Sequence, residues 1–103
     1  MTTNQIKDTV IAHRRTIHRL AELGGQEYKT RDYILGHIKK WNLPYEMVTE
    51  TAILATLDTG REGPHIALRA DMDALPLTED ISRPFCSLHP GHMHACGHDA
   101  HVA

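Results

Sequence analysis

Residues 89–101 contain the densest group of metal-binding side chains in this sequence. Five of the nine histidines and one of the two cysteines lie in this stretch, which reads HPGHMHACGHDAH. Neutral imidazole and thiolate are donors that suit a borderline-soft divalent ion such as zinc. Cys96 and His98 are separated only by Gly97, which has no Cβ to obstruct a tight turn. The spacing therefore predicts that Cys96 and His98 bind a divalent metal ion.

A carboxylate, Asp99, directly follows the second candidate ligand. Metal-bound imidazoles usually donate their second N–H group to an acidic or carbonyl oxygen, so a neighbouring acid supports the metal interpretation. A Cys-x-His pair alone is a weak signal. A histidine-rich surface loop or a tag-like tail is the alternative that the spacing leaves open.

Three segments together carry a resemblance to a known enzyme family. They are HACGHDAH at 94–101 with Gly91 and Met93 before it, LRADMDALP at 68–76, and RRTIH at 14–18 followed by Glu22, Glu27 and Thr30. In this order the segments resemble the metal-dependent amidohydrolases of the aminoacylase and hippurate hydrolase type. That family belongs to a larger clan of two-metal aminopeptidases and carboxypeptidases. The resemblance implies an enzyme that holds two divalent ions and hydrolyses N-acyl amino acids or peptides.

The resemblance also implies roles for individual residues. Cys96 and His98 are expected to be metal ligands, with zinc, manganese, cobalt or nickel as the metal. Asp71 and Asp73 stand where related peptidases carry a His-x-Asp pair, in which the histidine binds metal and the aspartate orients it. Asp73 is therefore expected to orient a metal ligand without binding the metal itself, whereas Asp71 is not assigned as a ligand.

A two-metal hydrolase needs further carboxylate and imidazole ligands and a general base. The resemblance places these groups, and a smaller lid domain, in segments outside residues 1–103. The chain is therefore expected to be a single partial catalytic domain that is inactive alone. A catalytically inactive metal-binding or self-associating fragment is the alternative from a different functional class.

Length and composition limit the other possibilities. The chain has 103 residues, 41% of them hydrophobic and 23% charged, and a net charge of −2, which suits one small globular domain and gives no reason to expect nucleic acid or membrane partners. Two cysteines do not suggest a secreted disulfide framework, and Cys86 is expected to be a small packing residue. With no signal-like or membrane-spanning segment, the expected location is the cytoplasm.

Hydrophobic spacing predicts two helices in the first half of the chain. The first is expected at 4–23, capped by Thr3 or Asn4, and the second at 26–40. Several polar residues of these helices are expected on solvated or surface positions: His13, Arg14, Arg15, His18, Arg19 and His37.

The pattern changes to alternation after the second helix. It predicts strands at 45–49 and 52–57 joined as a hairpin, a third strand at 65–70, a long loop at 77–91 and a helix that opens near Asp99. The pattern indicates an α/β fold with two helices and about three strands of a mixed sheet, and the resemblance implies that this is the N-terminal portion of a zinc-exopeptidase-like catalytic domain. The resemblance implies that a central strand comes from outside this chain, so open strand edges and a homo-oligomer are expected.

Overall fold

The computed structural model covers residues 1–103 and begins with the long helix α1, Thr3–Leu20. The Thr2 hydroxyl accepts a hydrogen bond from the amide of Gln5 at 3.2 Å. The Gln5 side chain accepts one in return from the amide of Thr2 at 2.7 Å. This reciprocal capping box satisfies two amides that the helix leaves unpaired. The cap is therefore Thr2, and the predicted caps Thr3 and Asn4 were wrong by one and two residues.

Helix α1 ends before its predicted boundary because the residues that follow it pair with a distant segment of the chain. Ala21 leaves the helix at a φ of 29°, and the Glu22 carbonyl accepts the amide of Ala74 at 2.7 Å. Leu23 then forms an isolated parallel bridge with Ala74. A contact with Ala74, 51 residues after Leu23 in the sequence and not detectable from helical periodicity, thus ends the helix.

Helix α2, Tyr28–Lys40, begins two residues after the predicted start. Its flanking residue Glu27 provides no side-chain cap. The carboxylate of Glu22 does so instead, accepting the amides of Lys29 at 3.1 Å and Thr30 at 2.6 Å. An anion at a helix N-terminus is favoured by the helix dipole, so Glu22 both caps α2 and holds it beside the end of α1.

The sheet is a two-stranded antiparallel hairpin of β1, Tyr45–Met47, and β2, Ile53–Ala55. The predicted hairpin is confirmed, with shorter strands. The predicted third strand at 65–70 does not form, and its side chains Ile66 and Leu68 are 82% and 96% exposed. A strand requires a neighbour to pair its amides and carbonyls, and no segment of this chain lies beside 65–70.

Helix α3, His98–Val102, opens one residue before the expected position and packs on α1. Four hydrophobic residues are buried, Ile17, Ala21, Ile38 and Ala74, against seven polar or charged ones. The interior around α1 and α3 is therefore held together largely by polar contacts. None of the helices combines the length and apolar character needed to cross a membrane.

Candidate metal centre

Two short backbone pairings bring the candidate site residues together. Ala74 pairs with Leu23 on one side, and Leu75 pairs with Met93 on the other through two N–H to carbonyl hydrogen bonds of 2.9 Å. The segment that carries Asp73 therefore lies between the end of α1 and the start of the histidine-rich turn.

Asp73 and His98 meet at this junction. The Nδ1 atom of His98 lies 2.9 Å from the Asp73 carboxylate and 3.0 Å from the Asp73 carbonyl oxygen. With Nδ1–H donating to these acceptors, the lone pair of Nε2 is left free to bind a metal. Metal-binding histidines usually have such a carboxylate or carbonyl partner, so this contact is of the kind that an orienting role of Asp73 would require.

Cys96 lies two residues before His98 in the sequence, and it is a free, solvent-exposed thiol. Between them Gly97 adopts a φ of 83°, in the left-handed region where a side chain would be strained. The same glycine stands directly before α3. The chain thus folds sharply between the two candidate donors, as their spacing predicts.

Cys96 and His98 do not by themselves make a complete metal site. No three side chains of histidine, cysteine, aspartate or glutamate converge closely enough to hold an ion. Asp71 instead forms an exposed ion pair with Arg69 at 2.7 Å. An exposed thiol and an oriented imidazole fit a divalent ion chemically, but they are two of the four donors that a tetrahedral site uses.

A buried ionic cluster lies beside this site, on the face of α1 that was predicted to be solvated. His18 is only 1% exposed, so that prediction was wrong for this residue. Its Nδ1 lies 2.7 Å from an oxygen of Asp99, and its Nε2 lies 2.7 Å from an oxygen of Glu79. Arg14 Nε contacts the same oxygen of Asp99 at 2.9 Å.

Opposing influences act on the carboxyl group of Glu79. Burial, the largest of them, would raise its pKa. Hydrogen bonds from His18 and from the Ser87 amide, with the nearby charges of His18 and Arg83, outweigh burial and hold the pKa of Glu79 below its ordinary value. Glu79 is therefore ionised where it contacts His18.

His94 lies next to this cluster, with its ring centroid 6.3 Å from that of His18. It is 4% exposed, and neither ring nitrogen has a hydrogen-bond partner. Burial is the main cause of its lowered pKa, opposed in part by the negative charge of Asp99. His94 is therefore neutral near pH 7, and it is not joined to Cys96 and His98 in any group of three donors.

The structure also locates His37 and the second cysteine. His37 is half-buried between His13 and Trp41, with ring centroids 4.6 and 5.8 Å away, so it is a packed residue and not a freely exposed one. Cys86 is a half-buried free thiol, compatible with the packing role predicted for it.

Sequence reasoning missed the pair His18 and Glu79. His18 carried one signal, because it lies in the RRTIH segment of the resemblance. Glu79 carried none, since it lies in an irregular loop and outside every segment of the resemblance.

Comparison with known proteins finds several that are similar to this chain in sequence. Residues 67–103 match the model for Peptidase family M20/M25/M40. The N-acetyldiaminopimelate deacetylase of Halalkalibacterium halodurans is 45% identical over 94% of this chain and 27% of its own length. The N-acyl-L-amino acid amidohydrolase of Geobacillus stearothermophilus is 42% identical over 97% of this chain and 27% of its own length.

A solved structure supports the same relationship. A Bacillus subtilis protein described as a dinuclear metal binding peptidase from the M20 family has a TM-score of 0.88 and 37% identity, over 96% of this chain and 28% of that chain. The chain spans about a quarter of the length of the relatives it matches. The predicted fold class and the predicted resemblance are thereby confirmed, and this chain matches the N-terminal part of proteins of peptidase family M20/M25/M40.

Proposed function

We propose that this chain supplies two metal ligands, Cys96 and His98, to a metal-dependent hydrolase of amide bonds. One observation carries the proposal: His98 Nδ1 is held by both the carboxylate and the carbonyl of Asp73, which leaves Nε2 as the metal-binding atom. An imidazole whose second nitrogen is bound to a carboxylate is a stronger and better oriented donor.

Divalent ions at such a site polarise a carbonyl group and make bound water a nucleophile near neutral pH. The contribution of this chain is to fix the donors. Asp73 selects the tautomer of His98 and holds its ring, while Gly97 permits the turn that places Cys96 before it. The half-exposed His98 and exposed Cys96 leave the centre open to further ligands and to substrate.

We propose a small N-acyl amino acid or peptide as the substrate. The support comes from the names of two relatives, a deacetylase of N-acetyldiaminopimelate and an N-acyl-L-amino acid amidohydrolase. The metal is proposed to be zinc, manganese, cobalt or nickel, as the donor types allow. Two free cysteines, one of them a proposed thiolate ligand, favour a reducing compartment such as the cytoplasm.

A chimera would test this function directly. The matching N-terminal segment of the Halalkalibacterium halodurans deacetylase would be replaced with residues 1–103 of this chain. We expect metal-dependent hydrolysis of N-acyl amino acids by the chimera. Replacing Cys96 with Ala or His98 with Ala should lower kcat/KM by at least about 100-fold, since each change removes a donor of the metal centre.

Cys86→Ala provides the matched control, because Cys86 is a free thiol outside the proposed centre. It should leave the activity of the chimera close to that of the parent. A folded chimera that is inactive with every added metal, or one whose activity survives loss of both Cys96 and His98, would contradict the proposed function.

The second candidate is a catalytically inactive polypeptide that binds metal or associates with itself. It is favoured by the lack of three converging donors and by the exposed apolar residues Ile66 and Leu68. An active chimera would exclude this second candidate, because the segment that carries Cys96 and His98 would then support catalysis. A folded but inactive chimera, with retained metal binding by residues 1–103, would favour this second candidate.

A further inference from the structure

His18 connects three parts of the chain that are far apart in sequence. It projects from α1, contacts Glu79 in the loop at 77–91 and contacts Asp99 in the first turn of α3. All three residues are buried, with exposures of 1%, 8% and 1% for His18, Glu79 and Asp99. Contacts of this kind in a dry interior require good geometry, because an unpaired charge there is costly.

Each nitrogen of the His18 ring lies 2.7 Å from a different carboxyl group, Nδ1 from that of Asp99 and Nε2 from that of Glu79. Arg14, 33% exposed, adds a cation against Asp99. The cluster therefore joins two basic side chains, His18 and Arg14, to two acidic ones, with the His18 ring between the carboxyl groups of Glu79 and Asp99.

Asp99 transmits this contact to the proposed metal centre. It is adjacent to His98, and Gly97 in its left-handed conformation joins His98 to Cys96. We propose that His18 is a positioning residue for the metal centre, which acts by anchoring Asp99 and thereby fixing the Cys96–Gly97–His98 turn. This inference rests on the proposed function of Cys96 and His98 as ligands.

Two substitutions separate this role from general structural support. The side-chain nitrogen of Asn occupies the position of histidine Nδ1, so His18→Asn can still donate to Asp99 while it loses Glu79. The side-chain nitrogen of Gln corresponds to Nε2, so His18→Gln can still donate to Glu79 while it loses Asp99. A purely structural role gives no reason for the two variants to differ in metal binding.

The test uses the 103-residue chain and Co²⁺ alone. Cys86→Ser is introduced in every protein, so that thiolate-to-cobalt charge-transfer absorption reports only on Cys96. We expect His18→Gln to weaken Co²⁺ binding about tenfold and to reduce the band, whereas His18→Asn should remain within about threefold of the parent. Thermal unfolding of each variant gives its folded fraction, and the measured affinities for Co²⁺ are corrected for that fraction.

Equal affinities for the two variants, whether both match the parent or both are weakened, would overturn the inference. A parent that gives no thiolate band would contradict the metal function itself, which is a different result. In that case the amide resonances of residues 96–99 in the metal-free chain decide whether His18 fixes the turn. Larger shifts in His18→Gln than in His18→Asn would support it, and equal shifts would exclude it.

Discussion

One oxygen of the Glu22 carboxylate accepts two hydrogen bonds from Thr30, from its amide at 2.6 Å and from its hydroxyl at 2.7 Å. Thr30 has no exposed surface. Glu22 also holds Ala74 through its backbone carbonyl, so the residue that caps α2 lies beside the segment bearing Asp73. Glu22 thus contacts both the start of α2 and the segment that leads to the proposed metal centre.

Glu22→Gln should lower the free energy of unfolding by about 1–2 kcal/mol, because the charge at the N-terminus of α2 and one strong acceptor are lost. Thr30→Val, which removes only the hydroxyl donor, should cost about 1 kcal/mol. Urea unfolding followed by circular dichroism measures both. Glu62→Gln, in an exposed segment, is the control and should change stability little; a comparable loss there would argue against a specific cap.

Asp73→Asn should weaken the binding of Zn²⁺ to the chain by about tenfold, because His98 loses its charged partner. Asp71→Asn is the matched control, since Asp71 pairs with exposed Arg69 and should not affect binding. Titration calorimetry measures both. The parent itself should bind weakly, as two donors are half of a closed zinc site. Equal effects of the two substitutions would contradict the orienting role of Asp73.

Glu79 should make stability depend on acidity. Its pKa is lowered in the folded chain, so the unfolded chain binds the proton more tightly, and Glu79 contributes stability above its ordinary pKa of 4.5. That contribution is lost as the pH falls through the lowered value. The stability difference between the parent and Glu79→Gln should therefore be largest near neutral pH and shrink in acid, as measured by urea unfolding across this range. A difference that grows with acid would contradict the assigned ionisation.

The isolated chain should not hydrolyse N-acetyl or N-benzoyl amino acids. It brings no three metal donors together, and catalysis by such centres needs further ligands and a general base. A colorimetric assay of released amino groups, with zinc, manganese or cobalt added, measures this. Turnover that a chelator abolishes, and that depends on Cys96, would mean that residues 1–103 form a complete centre.

The chain should self-associate at micromolar concentration. Leu57, Ile66 and Leu68 are 74%, 82% and 96% exposed, and burial of apolar surface yields about 25 cal/mol per Å². Open strand edges also invite pairing. Light scattering should detect a dimer or larger species, and the double variant Ile66→Lys with Leu68→Lys should be smaller. Ile81→Lys, equally exposed but in another loop, is the control. A monomeric parent would refute this prediction.

The local chemistry of the proposed centre could be derived from the sequence. Cys96, Gly97 and His98 are consecutive, and a turn between two donors depends only on the residue that separates them. The two helices and the hairpin were likewise predictable, because helical and alternating periodicities are local properties of the chain. The third strand was not, because a strand depends on a neighbour and not on its own pattern.

The tertiary structure alone decided what surrounds those donors. The end of α1 at Leu20 depends on Ala74, the start of α2 depends on Glu22, and the orientation of His98 depends on a residue 25 positions earlier. The sequence predicts His18 on a solvated helix face, whereas in the folded chain Glu79 and Asp99 cover it. Sequence periodicity reports which residues share a face, but only packing between distant segments determines which face is covered and which charges meet there.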